Sequence, residues 1–483
     1  MILGKLMSYA GVLKSNVSYE TEISSLTIDS RHCSPGCIFV ALPGTKTDGL
    51  LYAGEAIKAG AVAVICEKPA EEGIPYILVD DARKALAAVS CEFYGNPSRE
   101  LKMIGVTGTN GKTTVACLIK ELIEKTFGAK TGLIGTYINL VGEREIPSKM
   151  TTPQADTLQR WFREMADAGC EYCVMEVSSH ALALNRVDGI EFDVGIFTNL
   201  SHDHLDFHET MENYREEKAK LFDRCKTAIF NMDDASTEYL MERSAAEKKI
   251  TFSCGKNEAD VVAKAAKIKV GSVEFQTVIK GGIARIELGI PGKFSVYNGL
   301  AVISCGLALG MPLADISKAM KSMGGVKGRM EVLPVNRDYT VLIDYAVTPD
   351  ALENVLLSVK EYVTGRLVLL FGCGGDRDRK KRPEMGAIAC RIADYVVVTS
   401  DNPRIERPMQ IIEDILEGMK GGAESYIVIE DRREAIAWAL DNMAEGDMLI
   451  LAGKGHETYQ EIDGIRYHLD EREVVSEHLG ITL

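Results

Sequence analysis

A glycine-rich segment at residues 105–114 has the residue types that bind nucleotide phosphates. It reads Gly-Val-Thr-Gly-Thr-Asn-Gly-Lys-Thr-Thr, follows an apolar run that predicts a buried strand, and precedes a helical pattern. Backbone N–H groups and a helix N-terminus bind anions in such units, with Lys112 on the outer phosphates and Thr113 on Mg²⁺. The strict motif has glycine at Val106, so an incidental turn is the alternative. The order of strand, turn and helix favours a phosphate loop.

Carboxylates and imidazoles follow two later predicted strands. Glu176 ends an apolar run, 171–177, and three histidines and two aspartates lie between 202 and 208, after a run at 192–200. A single histidine is more often structural, but a cluster at a strand end next to a phosphate loop is typical of a metal site. We therefore predict Glu176 and His204 as Mg²⁺ ligands.

The last third of the chain carries four polar motifs, each directly after a predicted strand. They are Asp344-Tyr345, 374–377 (Gly-Gly-Asp-Arg), 401–404 (Asp-Asn-Pro-Arg) and 453–457 (Gly-Lys-Gly-His-Glu). Ligands of open parallel sheets bind at the carboxyl ends of the strands. Four motifs at such ends predict a binding site.

The elements that must position these residues predict an α/β protein of three domains. Residues 1–98 alternate short strands and helices in a small domain that ends in a Gly-Asn-Pro-Ser turn. Residues 99–330 predict the phosphate-loop domain, a parallel sheet with antiparallel hairpins within 261–290. Residues 331–483 predict an open, mostly parallel sheet of five strands with helices on both faces.

Bulk composition excludes several classes of protein. The 483 residues carry a formal net charge of −15, spread along the chain without an acidic tail, which argues against a nucleic-acid partner held by a basic surface. No run of about 18 apolar residues predicts a membrane span, and the first 14 residues lack a signal-peptide layout. Twelve cysteines are too dilute for a disulfide scaffold and predict free thiols in a reducing cytoplasm.

Taken together, the motifs resemble those of the Mur ligases over nearly the whole chain. The matching segments are 108–113, 176–180, 199–206, 297–298, 328–331 and 344–346. The resemblance implies a cytoplasmic, ATP- and Mg²⁺-dependent ligase of peptidoglycan precursor synthesis, which we expect to be a monomer. It implies an N-terminal domain for the uridine nucleotide, a central ATPase and a C-terminal Rossmann-like domain. The carboxyl substrate would be UDP-MurNAc-L-Ala-D-Glu, activated as an acyl phosphate.

The resemblance also assigns expected roles to individual residues. It implies a nucleotide site formed by Gly108, Thr109, Asn110, Gly111, Lys112, Thr113, Thr114, Asn298, Arg329 and Asp344. It implies that the muramoyl dipeptide contacts Thr151, Thr152, Ser178 and Arg186, and that the uridine end contacts Ser30. On residue types alone, a local Asx turn is the favoured interpretation of Ser30 and its neighbours.

One lysine of the family is carbamylated by CO₂ and binds Mg²⁺. The family pattern assigns this role to Lys218, four residues after Tyr214, whereas Lys220 has the wrong spacing. Without the resemblance, Lys218 would be a solvated charge on a helix predicted at 209–222. One position departs from the family, which usually has histidine where this chain has Val347.

The motif at 401–404 predicts meso-diaminopimelate as the incoming amino acid. Diaminopimelate has a distal carboxylate that lysine lacks, and the guanidinium of Arg404 matches a carboxylate bidentately. The resemblance places Arg377 on the proximal carboxylate and Asn402 with Glu457 on the distal ammonium. Asp401 and Gly453 complete the expected amino-acid site. A surface salt bridge is the alternative role for Arg404.

Two other functions compete with this interpretation. A folylpolyglutamate synthetase would share the phosphate loop, but the Thr-Thr-Pro motif at 151–153 and the 401–404 motif argue against it. A non-catalytic Mur-like scaffold would be expected to lack Lys112, Glu176 or Lys218, and all three are present.

Overall fold

A computed structural model describes residues 1–44, 47–269, 271–420 and 425–482, with every side chain of these except that of Asp206. The chain divides into two compact units. The first unit comprises residues 1–108, 123–230 and 234–250, and the second comprises residues 109–122, 231–233 and 251–483.

The first unit begins with a five-stranded sheet of order β1-β5-β4-β3-β2. β2 to β5 run parallel, and β1 pairs antiparallel with β5. Its elements are α1 (Leu3–Met7), β1 (Val12–Ser15), β2 (Ser25–Thr27), β3 (Cys37–Val40), α2 (Ala53–Lys58), β4 (Ala61–Cys66), β5 (Tyr76–Val79) and α3 (Ala82–Phe93). Asp81 caps α3 by accepting hydrogen bonds from the backbone N–H groups of Arg83 and Lys84.

A second sheet follows, with strands of the first unit in the order β12-β11-β6-β10-β7-β8-β9. Adjacent strands run parallel from β12 to β7, whereas β8 and β9 are antiparallel additions. The elements are β6 (Lys102–Thr107), α4 (Lys112–Phe127), β7 (Thr131–Ile134), β8 (Ile138–Val141), β9 (Arg144–Pro147), α5 (Ala155–Asp167), β10 (Tyr172–Glu176), α6 (Ser179–Ala183), β11 (Phe192–Phe197), α7 (Leu205–His208), α8 (Met211–Ala219), β12 (Cys225–Asn231), α9 (Thr237–Arg243) and β13 (Lys248–Ser253).

Hydrophobic periodicity explains the core of this sheet. α5 buries Leu158, Trp161, Phe162 and Met165, which follow the three- and four-residue spacing of one helix face. All five residues of β10 are buried, as expected for a parallel strand covered on both faces. The phosphate-loop strand β6 and the strand that carries Glu176 are thereby held side by side.

The second unit contains the antiparallel hairpins that the sequence predicts within 261–290. β14 (Val261–Ile268), β15 (Val273–Ile279) and β16 (Gly282–Leu288) pair antiparallel in succession. α10 (Phe294–Ala308) and α11 (Leu313–Lys321) follow. This prediction is confirmed.

A six-stranded sheet of order β17-β18-β22-β19-β20-β21 forms the rest of the second unit. β17 pairs antiparallel with β18, and all other pairs are parallel. Its elements are β17 (Glu331–Leu333), β18 (Thr340–Asp344), α12 (Pro349–Lys360), β19 (Leu367–Phe371), α13 (Lys381–Ile392), β20 (Tyr395–Val398), α14 (Pro408–Met419), β21 (Tyr426–Val428), α15 (Arg432–Asp441) and β22 (Met448–Ala452). A hairpin of β23 (Tyr459–Ile462) and β24 (Ile465–His468) and helix α16 (Glu471–Leu479) end the chain.

The predicted fold class, an α/β protein with a Rossmann-like C-terminal sheet, is confirmed. The boundaries 1–98, 99–330 and 331–483 stay a prediction. The helix predicted at 209–222 begins only at Met211, because Glu209 has a positive φ of 68° and Thr210 caps the first turn. Among the described residues, no helix is long and apolar enough to cross a membrane. All twelve cysteines are free thiols.

Candidate active site

The second half of the predicted phosphate loop is assembled around the start of α4. Lys112 is the first residue of the helix, and its Nζ donates to the carbonyl oxygen of Thr109 at 2.8 Å. Gly111 has a φ of 85°, and a Cβ there would lie 2.6 Å from Oδ1 of Asn298. Glycine is therefore required, and the predicted nucleotide residue Asn298 lies against the loop. Thr113 and Thr114 are buried.

Arg329 connects the loop to the carboxyl end of β18. Its Nη2 lies 3.5 Å from Oγ1 of Thr113, and its guanidinium lies 4.9 Å from the ring centre of Tyr345. Asp344, which ends β18, accepts the backbone N–H of Met330 at 2.8 Å. Burial raises the pKa of Asp344 to about 6, partly offset by Arg329. The structure thus brings Thr113, Arg329 and Asp344, three of the predicted site residues, close together.

His456 packs beside Tyr345, with ring centres 5.0 Å apart. Burial, together with the smaller effects of the cations Arg329, Arg472 and Lys327, lowers the pKa of His456 to about 4. This imidazole is therefore neutral at physiological pH.

In the first unit, Lys218 reaches the phosphate loop from α8. Its side chain is only 1% exposed, and its Nζ donates to the carbonyl oxygen of Gly108 at 2.9 Å. The ammonium also lies 4.4 Å from the ring centre of the buried Tyr214. The expectation of a solvated lysine on this helix is wrong, because α8 buries this face.

The predicted histidine cluster is a group of packed rings. His180 lies 4.9 Å from His204 and 5.4 Å from His208, and His208 stacks on Tyr214 at 4.9 Å. Nε2 of His208 lies 2.8 Å from the Ser179 hydroxyl, which identifies His208 as a buried structural residue. His204 is half exposed and adopts a left-handed φ of 54°, with Nε2 3.4 Å from Asp203. His202 and His204 are both exposed, and the His204 ring lies 6.2 Å from that of Tyr214.

Glu176 is buried at the end of β10, and both its oxygens accept hydrogen bonds from Thr136. The backbone N–H donates at 2.7 Å and the hydroxyl at 3.1 Å. The Thr136 hydroxyl lies 3.0 Å from that of Thr151. Glu176 and Thr151, predicted for metal and substrate respectively, therefore share one hydrogen-bond network.

The other three predicted dipeptide residues form a second network. Thr152 donates its hydroxyl to the Glu176 carbonyl at 2.8 Å and accepts the Ser178 backbone N–H at 3.1 Å. Arg186 donates to the Thr152 carbonyl at 2.9 Å. Burial lowers the pKa of Arg186 to about 10, with a smaller effect from Arg83. This concentration of hydroxyls and one guanidinium suits an anionic, polar ligand.

The turn that contains Ser30 is an Asx turn, the alternative that residue types favour. Asp29 accepts the backbone N–H of Arg31 at 3.0 Å and its guanidinium at 2.9 and 2.7 Å. Ser30 begins a short 3₁₀ turn at the carboxyl side of β2. The hydrogen bonds of the turn fix the position of Ser30 but identify no ligand.

In the second unit, the motifs after β20 and β22 form one polar cluster. The Asn402 amide donates to Glu457 at 2.8 Å, and Lys454 Nζ donates to Asn402 Oδ1 at 2.8 Å and to Glu457 at 3.0 Å. Asp401 is buried beside Gly453, where a Cβ would lie 2.7 Å from the carboxylate. The predicted pair Asn402 and Glu457 is therefore in direct contact.

Arg404 lies at the edge of this cluster with a left-handed φ of 55°. Its guanidinium donates to the Gly375 carbonyl at 2.5 Å, and its Nε is 4.0 Å from Glu461. The motifs at 374–377 and 401–404 are thus joined, and Arg377 in the first of them is exposed. A guanidinium held mainly by a carbonyl keeps its charge available to an anionic ligand.

Comparison with known proteins gives the decisive observation for the family. Residues 22–94 match the "Mur ligase family, catalytic domain", residues 106–306 the "Mur ligase middle domain", and residues 328–455 the "Mur ligase, glutamate ligase domain". The chain belongs to the Mur ligase family.

Individual Mur ligases are similar over their whole length. The UDP-N-acetylmuramoyl-L-alanyl-D-glutamate--2,6-diaminopimelate ligase of Caldanaerobacter subterraneus subsp. tengcongensis is 49% identical over 95% of each chain. The ligase of the same name from Clostridium botulinum is 46% identical over 94% of this chain and 95% of its own. A solved structure with this ligase name is 33% identical, with a TM-score of 0.71 over 99% of both chains.

Sequence reasoning missed the buried cations that hold the loops of this Mur ligase. Arg382 and Arg432 are fully buried: Arg382 binds Glu406, Asp414 and the Gly374 carbonyl, and Arg432 binds Glu471 and the Ser400 and Ala452 carbonyls. Arg472 binds Glu331 and the Gly455 carbonyl. Lys454 was within a predicted motif but had no predicted role. Arginine is usually a surface residue, so the residue types around Arg382, Arg432 and Arg472 give no signal of their burial.

Proposed function

We propose that this chain is an ATP-dependent ligase that joins meso-diaminopimelate to UDP-MurNAc-L-Ala-D-Glu in peptidoglycan precursor synthesis. The observation that carries the proposal is the 49% identity, over 95% of each chain, to a ligase named for these two substrates. The hydrogen-bonded groups at Asn402 and at Thr152 supply the kinds of side chain that the two substrates need.

The nucleotide would bind at the loop of residues 108–114. A glycine at Gly111 leaves the backbone free to approach phosphate, and Lys112 and the N-terminus of α4 supply positive charge. Asn298, Arg329 and Asp344 would contact the nucleotide beyond the phosphates. These groups fit a nucleoside triphosphate, because they combine a cationic end with a polar and aromatic end at Tyr345.

Mg²⁺ fits the donor atoms of the predicted metal ligands. Within the described part of the chain, no group of three histidine, cysteine or acidic residues could hold a metal alone. Mg²⁺ at nucleotide sites commonly binds one or two carboxylates together with phosphate oxygens. The Thr113 hydroxyl, Glu176, His204 and Lys218 would supply the protein ligands. When bound, the ion would neutralise charge on the phosphates.

Lys218 would serve the metal as a carbamate. The ammonium first loses one proton, and the neutral amine then attacks CO₂. An N–C bond forms and a second proton is released, so that a cation becomes an anionic oxygen ligand. Its burial beside Gly108 supports this role, because a buried ammonium is costly and a carbamate has oxygen donors of the hardness that Mg²⁺ prefers.

Catalysis would require positioning of three reactants. The γ-carboxylate of D-Glu attacks the γ-phosphorus of ATP, and ADP leaves. The amine then attacks the acyl carbon, inorganic phosphate leaves and one proton is lost. Thr151, Thr152, Ser178 and Arg186 would hold the dipeptide, and the turn at Ser30 would hold the uridine end. The domains of residues 1–98, 99–330 and 331–483 would bind the uridine nucleotide, ATP and the amino acid.

The amino acid would bind at the carboxyl ends of β19, β20 and β22. Arg404 would pair with the distal carboxylate of diaminopimelate, and Arg377 with the proximal one. Asn402 and Glu457 would accept the distal ammonium, while Asp401 and Gly453 would line the same site. This donor set favours a zwitterionic side-chain end over the lone ammonium of lysine.

The test is a ligation assay with purified chain, ATP, Mg²⁺ and UDP-MurNAc-L-Ala-D-Glu, supplied with either diaminopimelate or lysine. We expect tripeptide product with diaminopimelate and ADP release that depends on both substrates. A higher kcat/KM with lysine would refute the amino-acid assignment. ATP hydrolysis without ligation of either amino acid would refute the ligase itself.

A further inference from the structure

The N-terminal turn of α13 lies between two loops that the proposed reaction uses. Lys381, its first residue, extends to the loop after β18 and donates from Nζ to the carbonyl oxygen of Val347 at 2.8 Å. The valine side chain can make no hydrogen bond, so residue 347 contributes its backbone carbonyl to this contact. The lysine is half buried, which strengthens a charged hydrogen bond relative to one in open water.

Val347, whose carbonyl accepts the hydrogen bond from Lys381, directly precedes the N-cap residue of α12, and this helix contacts the phosphate loop. Thr348 caps α12 by accepting the backbone N–H of Ala351 at 3.3 Å. Asp350, the second residue of this helix, accepts the Asn110 amide at 2.8 Å. The position of Asn110 therefore depends on where α12 begins, and Lys381 fixes the residue before that cap.

The neighbouring residue, Arg382, holds the other loop. It donates to both oxygens of Glu406 at 2.8 and 2.9 Å and lies 3.4 Å from the Gly374 carbonyl. Glu406 in turn accepts the backbone N–H of Asp376 at 2.6 Å. The loop at 374–377, which carries Arg377, is thus tied to the same helix end as the loop at 345–350.

We propose that Lys381 is a positioning residue that couples amino-acid binding to nucleotide binding. Ordering of the 374–377 loop by the amino acid fixes the first turn of α13 through Arg382. Lys381 then fixes Val347, the start of α12 and, through Asp350, Asn110 in the phosphate loop. The inference rests on the proposed function for the identity of the two ligands, but the path itself consists of contacts within the second unit.

The experiment measures the dissociation constant of a non-hydrolysable Mg·ATP analogue with and without saturating diaminopimelate. In the native chain we expect the amino acid to tighten analogue binding roughly tenfold, which is within the range of single charged hydrogen bonds and of allosteric coupling. In Lys381→Met the ratio should fall to about one. Lys381→Arg keeps a cationic donor and should recover most of the coupling.

Lys380→Met is the matched control. Lys380 is exposed, and its substitution removes the same charge one residue earlier in the chain. It should keep the native ratio. Lys381→Met with native coupling, or a native chain without coupling, would overturn the proposal. If Lys381→Met fails to fold, as judged by its thermal midpoint, Lys381→Ala gives the same comparison. Ligation by the native chain is measured in parallel, so failure of the proposed function is detected separately from failure of the coupling.

Discussion

The Nζ atom of Lys218 lies 2.9 Å from the carbonyl oxygen of Gly108, so a buried cation on α8 contacts the phosphate loop directly. Hydrogen bonding to a carbonyl and contact with the face of Tyr214 both favour an ammonium in this position. Carbamylation would replace that ammonium by an anion next to the bound phosphates. It would therefore need a divalent cation in the same place, which links the modification to metal binding.

Lys218→Ala should be nearly inactive in ligation and should regain part of its rate when short carboxylates such as acetate are added. The reason is that a carboxylate in the cavity replaces the oxygen ligand that a carbamate supplies. Product formation is measured with and without the added acid. Lys220→Ala is the control, since Lys220 pairs with Glu217 at 2.6 Å and is half exposed. Native activity of Lys218→Ala would remove the carbamate from the mechanism.

Lys112→Ala should fold but form no ATP-dependent product. The side chain donates a hydrogen bond to the Thr109 carbonyl, and loss of such a bond costs about 1 kcal/mol, so we expect the thermal midpoint to change by only a few degrees. The proposed phosphate contact, by contrast, is lost entirely. Calorimetry gives the thermal midpoint, and the ligation assay gives the ATP-dependent product formation. Lys125→Ala, on an exposed face of the same helix, should leave both unchanged, and an active Lys112→Ala would exclude the loop as the ATP site.

Most of the fold could be predicted because local patterns and tertiary packing agree. The run at 367–371, Leu-Val-Leu-Leu-Phe, is fully buried as β19, and the alternating residues of 261–288 form the antiparallel hairpins. β8 and β9 were not predicted, since they are four residues each and partly exposed, and their pairing depends on β7. The same holds for β23 and β24, which are short and polar.

The residues of the candidate site likewise divide into those that local sequence patterns predict and those that depend on tertiary contacts. The phosphate loop, Asn402 and Glu457 could be predicted because their residues are close in sequence or share a recognisable motif. Arg382 and Arg432 could not, because their carboxylate partners are 24 to 39 residues away and only the fold brings them together. Burial of a guanidinium is decided by tertiary contacts that residue type and spacing do not contain.

Asp344 and His456 should give stability slopes of opposite sign between pH 4 and 6.5. The pKa of Asp344 is raised to about 6, so the folded chain binds this proton more tightly and loses stability as pH rises from about 4 to 6. The pKa of His456 is lowered to about 4, so its contribution to stability grows as pH rises from about 4 to 6.5. Over its pH range, each group changes the free energy of unfolding by roughly 3 kcal/mol at most.

Urea unfolding at several pH values separates the two contributions. Relative to the native chain, Asp344→Asn should gain in stability with rising pH, because it lacks the group whose ionisation is costly. His456→Gln should show the reverse difference. Identical pH dependence in all three proteins would mean that the pKa of neither group differs between the folded and unfolded states.

Arg404→Ala should lose most of the preference for diaminopimelate over lysine. A guanidinium left without its carboxylate partner penalises lysine, and sites of this kind discriminate by about 10⁴. Because Arg404 also donates to the Gly375 carbonyl, Arg404→Lys should keep the charge but lose bidentate geometry, with intermediate selectivity. kcat/KM for both amino acids is the measurement. Arg407→Ala, on an exposed neighbouring residue, should be native-like, whereas full selectivity in Arg404→Ala would assign discrimination elsewhere.

Arg432 and Glu471 form an ion pair in which neither side chain is exposed, with Nη2 and Oε1 2.8 Å apart. Arg432→Met should lower the free energy of unfolding by about 3–5 kcal/mol, because it leaves a buried carboxylate and two carbonyl oxygens, of Ser400 and Ala452, without their donor. Arg432→Met with Glu471→Leu should be less destabilised than Arg432→Met alone, since the uncompensated charge is gone.

The adjacent surface pair gives the control for this comparison. Arg433 and Glu477 are 3.6 Å apart and largely exposed, so Arg433→Met should change stability by less than about 1 kcal/mol. Urea unfolding of the four proteins gives the differences. The double variant should nevertheless bind diaminopimelate more weakly than the native chain, because Arg432 holds the Ser400 and Ala452 carbonyls that precede Asp401 and Gly453. A double variant with native affinity would show that the pair stabilises the fold without positioning these loops.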